Sequence, residues 1–397
     1  MLSLSELEHD PHAGLARLRR ESPVAWVPVL GGWLVTGYAE AVAVMRDSRT
    51  FTVDDPRFST ARVVGPSMLS LDGRAHSRHR TPFFGAFHRG DAAQRLPAFA
   101  EAQASRLVEA VRPDGSADIR RQVSGPLAVA VVAEALGLGD VPPAVILALY
   151  GRIAGGVTSL SAGQGEPAPG GVTEDGPGGA PGPDPGSVAA FSELAALLRA
   201  VIGAPGAAGA SVLGAAAAGG ELSTDEIVSD AAVVMFGGID TTDGMIANAV
   251  LHLLGHPDQL GLVRADPGLL AASVEESLRL EPAAAIVDRY ATGDAVLAGS
   301  KIRAGDRVTV SLSGANRDPA VFSDPDRFDL RRPEAGRHLA FAHGPHFCIG
   351  APPARAETWS ALRALLTLPG LRLDPARPVE PEGLVFRKPP ALPVLWG

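Results

Sequence analysis

The chain contains a single cysteine, and the residues around it constrain the fold more than any other segment. Cys348 lies in the run Phe341-Ala342-His343-Gly344-Pro345-His346-Phe347-Cys348-Ile349-Gly350, which leads into a predicted helix at Pro352. A lone thiol cannot form an internal disulfide, and a buried, inert thiol is the alternative interpretation. Gly344 and Gly350 allow a tight turn that brings amide N–H groups toward the sulfur, and the dipole of the following helix points its positive end there. This setting favours a thiolate.

The same run resembles the haem-binding signature of the cytochrome P450 family, Phe-x-x-Gly-x-His-x-Cys-x-Gly, and every fixed position is present. The resemblance implies that Cys348 is the axial ligand of the iron in haem b, iron protoporphyrin IX. It also implies that Phe341 and Gly350 lie beside the cofactor and that His346 reaches a haem propionate. One departure is Pro352-Pro353-Ala354-Arg355, where the family usually has Leu-Ala-Arg. Prolines are tolerated in a first helical turn, so a helix is still expected here.

The resemblance also implies the fold class, mainly α with small β-sheets (α+β). This is the cytochrome P450 fold, a triangular helical prism with a long central helix crossing over the haem. A chain of 397 residues with 46% hydrophobic content is long enough for one large domain or two. The resemblance favours a single domain over residues 1–397.

Charge and hydropathy limit the partners that are expected. The net charge is −9 and no long basic run occurs, so we expect no nucleic acid partner. The first six residues lack the charged-then-apolar pattern of a signal peptide, and no window of about 18 or more apolar residues is free of charges. We therefore expect no membrane anchor and a cytoplasmic location, and one unpaired cysteine fits a reducing compartment.

Residues 163–187 are a low-complexity segment, rich in glycine and proline and almost without large apolar side chains. Such a segment cannot offset the entropy of ordering, which predicts a flexible loop. A linker between two domains is the alternative. By the resemblance, the loop is inserted near the substrate entrance.

Hydrophobic periodicity predicts the remaining elements. Residues 22–37 are expected to form a β-hairpin, in which Pro28 favours a sheet edge. Apolar residues at helical spacing predict helices over 119–137, 142–157 and 187–203. Short strands are expected between Val296 and Val310.

A long helix is predicted from Thr224 to Leu254. The run Ser223-Thr224-Asp225-Glu226 is a capping box, and Gly255-His256-Pro257 is a stop signal. Gly237, Gly238 and Gly244 weaken the middle of this helix by about 1 kcal/mol each relative to alanine. Such a weakened turn indicates either a functional groove or a plain packing kink.

The run Gly237-Gly238-Ile239-Asp240-Thr241-Thr242 resembles the oxygen-binding groove of the cytochrome P450 family. The resemblance implies that Asp240 and Thr241 are catalytic. Thr241 would position water and a proton near the bound oxygen, and Asp240 would relay protons from solvent.

A haem carries two carboxylates that need cationic or hydrogen-bonding partners. His76 and Arg80 lie four residues apart within a predicted helix between Leu71 and Phe87, on one face. They match the family's propionate clamp, and Arg289 stands where the family has another propionate arginine. A solvated basic face is the alternative for His76 and Arg80.

Glu276 and Arg279 match the family's Glu-x-x-Arg pair. On an exposed helix such a pair would contribute little. The resemblance implies instead a buried scaffold, which Arg327 is expected to complete.

The function implied by the resemblance is that of a soluble, bacterial-type haem-thiolate monooxygenase. It would insert one oxygen atom from O₂ into a lipophilic small molecule, by hydroxylation or epoxidation, in secondary metabolism. Electrons from NAD(P)H would arrive through a ferredoxin and a ferredoxin reductase, for which Arg78, Arg89 and Arg355 are candidate docking cations. Eight residues are placed at the substrate pocket by family position: Val233, Phe236, Gly237, Ala284, Ala285, Ile286, Leu384 and Val385.

Two alternatives remain open. One is atypical oxidation on the same scaffold, such as carbon–carbon coupling, desaturation or peroxide-driven chemistry. The other is a non-catalytic haem- or ligand-binding protein.

Overall fold

The computed structural model of the protein describes residues 2–162, 182–206, 209 and 211–397. The helices of the described residues are, in chain order, α1 Leu4–His9, α2 His12–Glu21, α3 Tyr38–Arg46, α4 Ser59–Val64, α5 Gly73–Arg89, α6 Asp91–Val111, α7 Gly125–Leu136, α8 Pro143–Ala162, α9 Pro185–Ile202, α10 Val212–Ala218, α11 Thr224–Gly255, α12 Pro257–Ala265, α13 Leu270–Leu280, α14 Leu312–Ala315 and α15 Ala351–Leu365.

The strands are short and form three small sheets. They are β1 Val24–Val27, β2 Gly32–Val35, β3 Phe51–Thr52, β4 Ser116–Asp118, β5 Ile286–Ala291, β6 Ala295–Leu297, β7 Ser300–Ile302, β8 Arg307–Ser311, β9 Arg372–Leu373 and β10 Pro393–Leu395. The largest sheet has the order β1-β2-β8-β5-β3, with β2 and β8 parallel and the other pairs antiparallel. A second sheet has the order β4-β10-β9, and β6 pairs with β7. The predicted mainly α architecture with small sheets is confirmed.

The predicted β-hairpin is confirmed as β1 and β2, with Trp26 opposite Trp33. Pro28 lies in the 3₁₀ turn Pro28–Leu30 that connects them. This position suits a residue that cannot donate a backbone hydrogen bond. The strand before it, β1, is one of the two edge strands of this sheet.

Helix α11 is the long central element that the capping box predicted. The Ser223 side chain accepts from the N–H of Glu226, and the Glu226 carboxylate accepts from the N–H of Ser223. The helix is 32 residues long and ends at Gly255, just before Pro257 starts α12. It packs against α7, α9, α13 and α15, so it crosses the main hydrophobic core.

The prediction of one helix over 119–137 needs a correction. Residues Arg120–Ser124 form a π-helical turn, and α7 begins only at Gly125. The N–H of Gly125 donates to the carbonyl of Arg120, five residues earlier, and Pro126 has no N–H to continue an α-helical ladder. The wide turn also places Arg120 and Ser124 against the central helix, as described below.

The predicted loop over 163–187 falls largely outside the described residues. Its end was wrong, because α9 starts at Pro185 and Asp184 caps it by accepting from the N–H groups of Gly186 and Ser187. Helices α8 and α9, on either side of this segment, each contain an 18-residue window apolar enough to cross a membrane by length and composition alone. Both windows contain charged residues, among them Arg152 and Glu193, and core helices of soluble proteins pass the same test.

Candidate active site

The cysteine loop folds back on itself within ten residues. The N–H of Cys348 donates to the carbonyl of Phe341 at 2.8 Å. Gly344 has a φ of 72°, and a Cβ there would lie 2.6 Å from the carbonyl oxygen of Met45. Only glycine therefore lets the loop pass α3 at this point. The prolines after the loop occupy the first turn of α15, which confirms that the helix starts there.

The electrostatics of the sulfur are less favourable to a thiolate than the sequence suggested. Cys348 is half-buried. Burial raises the pKa of its thiol, while a hydrogen bond from the N–H of Gly350 and the positive charges of Arg80 and Arg355 act to lower it. The net direction is upward, so the loop alone does not deprotonate the sulfur. A metal ion that binds the sulfur would supply the missing stabilisation of the anion.

The four residues assigned to the haem propionates come together in one cluster. The rings of His76 and His346 lie 4.3 Å apart between centroids. Arg80 donates from Nη2 to the carbonyl of Phe347 at 2.6 Å, which ties α5 to the cysteine loop. Arg289 is buried and interacts electrostatically with Asp72, the residue that precedes α5.

Asp72 is a member of this cluster that the sequence reasoning missed. Its carboxylate accepts from the ring of His346 at 2.8 Å, from the hydroxyl of Thr52 at 2.7 Å and from the N–H of Val53 at 2.9 Å. Asp72 precedes a helix, where an aspartate usually caps the first turn. Here it makes no such cap and instead ties β3 and the cysteine loop to the start of α5. Only the tertiary structure brings those partners together.

Two side chains of this cluster, His76 and Arg289, have polar groups that remain available to an acidic ligand. The buried Nε2 atom of His76 has no hydrogen-bond partner in the described part of the chain. Arg289 donates to the carbonyl of Asp288 at 2.7 Å, and no carboxylate among the described residues forms an ion pair with it. An open cavity of about 460 Å³ borders His76. These groups fit the carboxylates of a haem, and His76 and Arg289 are more available to them than His346, which Asp72 already engages.

Burial decides the protonation of the two histidines. Burial, with the neighbouring His346 and Arg80, lowers the pKa of His76 to about 4. Burial also lowers the pKa of His346, although Asp72 opposes the shift. At neutral pH both rings are therefore neutral in the protein alone, and each offers one N–H as a donor. The permanent positive charges of the cluster are those of Arg80 and Arg289.

The three glycines in the middle of helix α11 have three different surroundings. A Cβ at Gly238 would lie 2.5 Å from a methyl of Val132, so this glycine lets α7 pack closely. A Cβ at Gly244 would lie 3.0 Å from Cβ of Ala283 and 3.2 Å from Cδ of Lys388. A Cβ at Gly237 would meet nothing within 4 Å, and this residue is exposed although it lies in the middle of the central helix. An open space therefore adjoins the helix at Gly237.

Thr241 and Asp240 lie one turn beyond that open space. The hydroxyl of Thr241 donates to the carbonyl of Gly237, one turn earlier in the unbroken helix. The carboxylate of Asp240 accepts from Nζ of Lys388 at 2.6 Å and from the hydroxyl of Tyr150 at 2.6 Å. Burial and the nearby Asp240 raise the pKa of Tyr150, which keeps its hydroxyl protonated as a donor.

A second carboxylate, Asp243, extends the network away from the open space. It accepts from Nζ of Lys388 at 3.0 Å, from Nε of Arg120 at 3.0 Å and from the hydroxyl of Ser124 at 2.6 Å. The sequence reasoning missed Asp243, Lys388, Arg120 and Tyr150. Asp240 and Asp243 lie three residues apart on one helix, a spacing that allows both carboxylates to bind the same cation. The sequence does not identify that cation, because Lys388 lies 145 residues beyond Asp243.

The residues proposed for the substrate pocket fall into two groups. Phe236 packs edge-on against Phe386 at 5.8 Å, and Ala284 forms a β-bridge with Phe386. Val233 is buried on the same helix and Val385 is exposed. By contrast, Ala285, Ile286 and Leu384 line a crevice of only 10 Å³.

Residues near the N-terminus of the chain form much of the wall of that crevice. Leu384 packs against a cluster that includes Leu7, Leu15 and Leu30. The described contacts therefore support Phe236, Gly237 and Ala284 as pocket residues better than Leu384. Phe386, which contacts Phe236 and pairs with Ala284, directly follows the predicted Leu384 and Val385 and was not itself predicted.

The predicted scaffold is present with one correction. Glu276 and Arg279 are fully buried and form a two-point ion pair at 2.7 and 2.8 Å. Arg332, not Arg327, completes it, because Nε of Arg332 donates to Glu276 at 3.0 Å. The side chain of Arg327 is exposed, and only its backbone carbonyl takes part, as an acceptor for Arg279 and Arg332.

The candidate docking cations are largely engaged within the chain. Arg355 forms a two-point ion pair with Glu275 at 2.6 and 2.9 Å and lies over the ring of Phe341 at 4.5 Å. Arg78 pairs with Glu226. The side chain of Arg89 lies outside the described residues. Phe84 and Phe347 are large exposed apolar side chains on α5 and in the cysteine loop.

Comparisons with known proteins agree with this geometry. A family model described as "Cytochrome P450" matches residues 263–391. The cytochrome P450 monooxygenase PikC of Streptomyces venezuelae is 35% identical over 98% of this chain and 91% of its own length. Nocardicin C N-oxygenase of Nocardia uniformis subsp. tsuyamanensis is 33% identical over 98% of this chain and 96% of its own length.

Two solved structures are similar over nearly their whole length. The crystal structure of CalO2 has a TM-score of 0.83 at 29% identity and covers 100% of this chain and 98% of that one. The crystal structure of P450BioI has a TM-score of 0.82 at 28% identity and covers 98% of this chain and 99% of that one. It is a complex with an acyl carrier protein ligated to hexadec-9Z-enoic acid. Together with the cysteine loop and the central helix, these similarities show that the chain belongs to the cytochrome P450 family and is a monooxygenase.

Proposed function

We propose that this monooxygenase inserts one oxygen atom from O₂ into a lipophilic small molecule, by hydroxylation or epoxidation, in secondary metabolism. The proposal is carried by two features of one chain, the closed loop that holds Cys348 and the open space beside Gly237 and Thr241 on the central helix. Nocardicin C N-oxygenase and HmtN, a post-tailoring hydroxylase involved in himastatin biosynthesis, support the class of pathway. An aromatic and aliphatic wall at Phe236, Phe386 and Ala284 favours an apolar substrate.

The cofactor is proposed to be haem b, held by Cys348 at the iron and by His76, Arg80, Arg289 and His346 at the propionates. When bound, it supplies the activation of dioxygen, which amino acid side chains do not provide. Phe341 and Gly350 shape the sulfur's surroundings, Phe341 by closing the loop and Gly350 by donating its N–H to the sulfur. We further propose that residues 1–397 form one domain.

Asp240 and Thr241 are proposed to handle the protons that the reaction consumes. The Thr241 hydroxyl is anchored on the Gly237 carbonyl at the edge of the open space. The Asp240 side chain is 30% exposed, so it can exchange protons with water. The presence of both residues favours ordinary oxygen activation over atypical oxidation or a non-catalytic role.

The electron donors are proposed to be a ferredoxin and a ferredoxin reductase in the cytoplasm. The exposed Phe84 and Phe347 lie on α5 and in the cysteine loop, two elements that Arg80 ties together. Because Arg78 and Arg355 are already paired, apolar contact is expected to contribute to docking there.

The test is reconstitution of the haem-loaded protein with a ferredoxin, its reductase, NAD(P)H and ¹⁸O₂. Candidate substrates are first screened by the change in iron spin state. The first probes are testosterone and hexadec-9Z-enoic acid, which are present in complexes of similar proteins, the fatty acid ligated to an acyl carrier protein. The expected product carries one ¹⁸O atom. A spin-state change followed by desaturation or coupling without ¹⁸O would support the atypical alternative, and haem binding without turnover of any bound probe would support the non-catalytic one.

A further inference from the structure

Lysine is almost absent from this protein. Lys301 and Lys388 are the only two lysines, and the remaining 33 of the 35 basic residues are arginines. Lys301 is exposed on β7. The side chain of Lys388 is only 13% exposed and ends beside the proposed proton-handling residues. A buried ammonium group costs free energy unless it is fully paired, so its partners are informative.

The ammonium group of Lys388 has one acceptor for each of its three protons. Nζ lies 2.6 Å from Oδ1 of Asp240, 3.2 Å from the backbone carbonyl oxygen of Asp240 and 3.0 Å from Oδ2 of Asp243. One cation therefore lies between two carboxylates that are nearly one helical turn apart.

The two carboxylates differ in how firmly they are held. The Asp243 side chain is only 6% exposed and also accepts from Arg120 and Ser124 of the π-helical turn. Burial raises the pKa of Asp243, but Lys388, Arg120 and Ser124 together hold it below its usual value. Asp240 is 30% exposed, and the described side chains that bond its carboxylate are Lys388 and Tyr150. Asp243 is thus almost fully buried and held by three side chains, whereas Asp240 is partly exposed and held by two.

The backbone around Lys388 is fixed as well. The N–H and carbonyl groups of Lys388 pair with those of Glu382 at 3.2 and 3.1 Å. Arg120 donates to the carbonyl groups of Pro389 and Pro390 at 3.1 and 3.0 Å. The missing side chain of Gly244 leaves the gap through which Lys388 crosses the helix, since a Cβ there would lie 3.2 Å from its Cδ. The chain therefore delivers this ammonium group to one place.

We propose that Lys388 is a positioning residue that sets where the Asp240 carboxylate rests, and that Asp243 is the fixed counter-charge that keeps Lys388 in place when Asp240 turns away. The inference rests on the proposed role of Asp240 as the proton relay. A proton from water converts the Asp240 carboxylate to the neutral acid, which passes the proton toward Thr241 and returns to the carboxylate. Lys388 keeps its charge throughout. Because the Lys388–Asp243 pair remains, Lys388 keeps a carboxylate partner at every stage.

Two lysines make a direct test possible without a substrate. Protein labelled with ¹³C and ¹⁵N in lysine, loaded with haem and held in the diamagnetic reduced form with carbon monoxide, gives two ammonium signals. Lys388→Met assigns them. We expect the protons of Lys388 to exchange with water at least tenfold more slowly than those of Lys301. We expect Asp240→Asn to leave most of that protection and Asp243→Asn to remove it.

Equal exchange at the two lysines, or a greater loss in Asp240→Asn than in Asp243→Asn, would overturn the proposed division of roles. The same experiment is independent of the proposed monooxygenation, because it measures only the ammonium protons.

The consequence for turnover is tested with the substrate that the spin-state screen identifies. Lys388→Met is expected to raise the share of electrons lost as hydrogen peroxide at least threefold, with a KM within twofold of that of the wild type. Lys388→Arg, which keeps the charge, is expected to recover at least half of the coupling. If a haem-loaded Lys388→Met protein couples as the wild type does, the positioning role is refuted and the proposed function stands. If the wild-type protein forms no product, the proposed function fails on its own.

Discussion

The two sides of the candidate haem site are built in opposite ways. On the side of the sulfur, Cys348 forms hydrogen bonds with the backbone of Phe341 and of Gly350, and all three residues lie within ten residues of the chain. On the side of the open space, Asp240 and Asp243 depend on Lys388, Tyr150 and Arg120, which lie 90 to 148 residues away in the sequence. The turn that holds the sulfur is therefore closed by local bonds, whereas the carboxylate network forms only when distant segments meet.

This difference determines what each side tolerates. The cysteine loop is shaped by backbone turns, so its weak points are residues such as Gly344 whose conformation no other residue adopts easily. The network around Asp240 is shaped by paired charges, so its weak points are the members whose loss leaves a buried charge alone. Variants that disturb the scaffold under both sides are expected to have the largest effect, and variants at single exposed groups the smallest.

The largest effect is expected for the buried scaffold beneath the cysteine loop. Glu276→Ala leaves Arg279 and Arg332 without their carboxylate, which costs about 3–5 kcal/mol for a broken buried pair. Arg332→Ala is expected to lower haem loading as well. Arg327→Ala is the matched control, since its side chain is exposed and is expected to be neutral. Haem content and chemical denaturation check this prediction, and equal effects at Arg327 and Arg332 would contradict it.

The second-largest effect is expected at Thr241, on the side of the open space and away from the buried scaffold. Thr241→Ala removes the hydroxyl anchored on Gly237 while leaving the sulfur side intact. Product formation is expected to fall about 100-fold with NAD(P)H consumption within threefold, because the electrons are diverted to hydrogen peroxide. Thr241→Ser keeps the hydroxyl and serves as the control. Unchanged release of hydrogen peroxide by Thr241→Ala would contradict the proposed role of Thr241 in proton handling.

Two neighbouring glycines on the central helix are expected to respond with opposite signs. Gly238→Ala forces a methyl against Val132 and is expected to destabilise the protein by about 1–3 kcal/mol. Gly237→Ala meets no atom and is expected to raise the free energy of unfolding by up to about 1 kcal/mol through helix propensity. The methyl group added by Gly237→Ala enters the open space, so the affinity for substrate should fall. Thermal unfolding and spin-state titrations measure the two effects.

The smallest effect is a pH dependence at the edge of the sulfur side. Burial raises the pKa of Glu275, but His338 and Arg355 outweigh it and lower the pKa to about 2. The unfolded value is near 4.5, so the stabilisation is complete above that pH and is lost as the pH falls toward 2. Glu275→Gln is expected to lose about 1 kcal/mol at neutral pH and to flatten the acid limb of the stability curve. An unchanged acid limb in that variant would contradict the assignment.

Sequence reasoning succeeded where the determining contacts are local. The cysteine loop, the hairpin at Trp26 and Trp33, and both ends of the central helix follow from capping, turn and periodicity rules. The cytochrome P450 family and fold were also identified from local motifs, and the comparisons confirm them.

It failed where a side chain is chosen by tertiary contact. Arg332 rather than Arg327 reaches Glu276, because the loop between them turns the nearer arginine outward. Asp72 binds His346 across 274 residues, and no spacing rule predicts that pair. The upward direction of the thiol pKa has a related cause, since burial of the sulfur is a property of the whole fold.

The central claim, that Cys348 binds the iron of a haem as a thiolate, has one direct measurement. The purified protein is reduced and exposed to carbon monoxide, and its absorption spectrum is recorded alongside that of Cys348→Ser. We expect the long-wavelength Soret band of a thiolate-ligated haem in the wild-type protein and its loss in the variant. A wild-type spectrum without that band, or the same band in Cys348→Ser, would contradict the account.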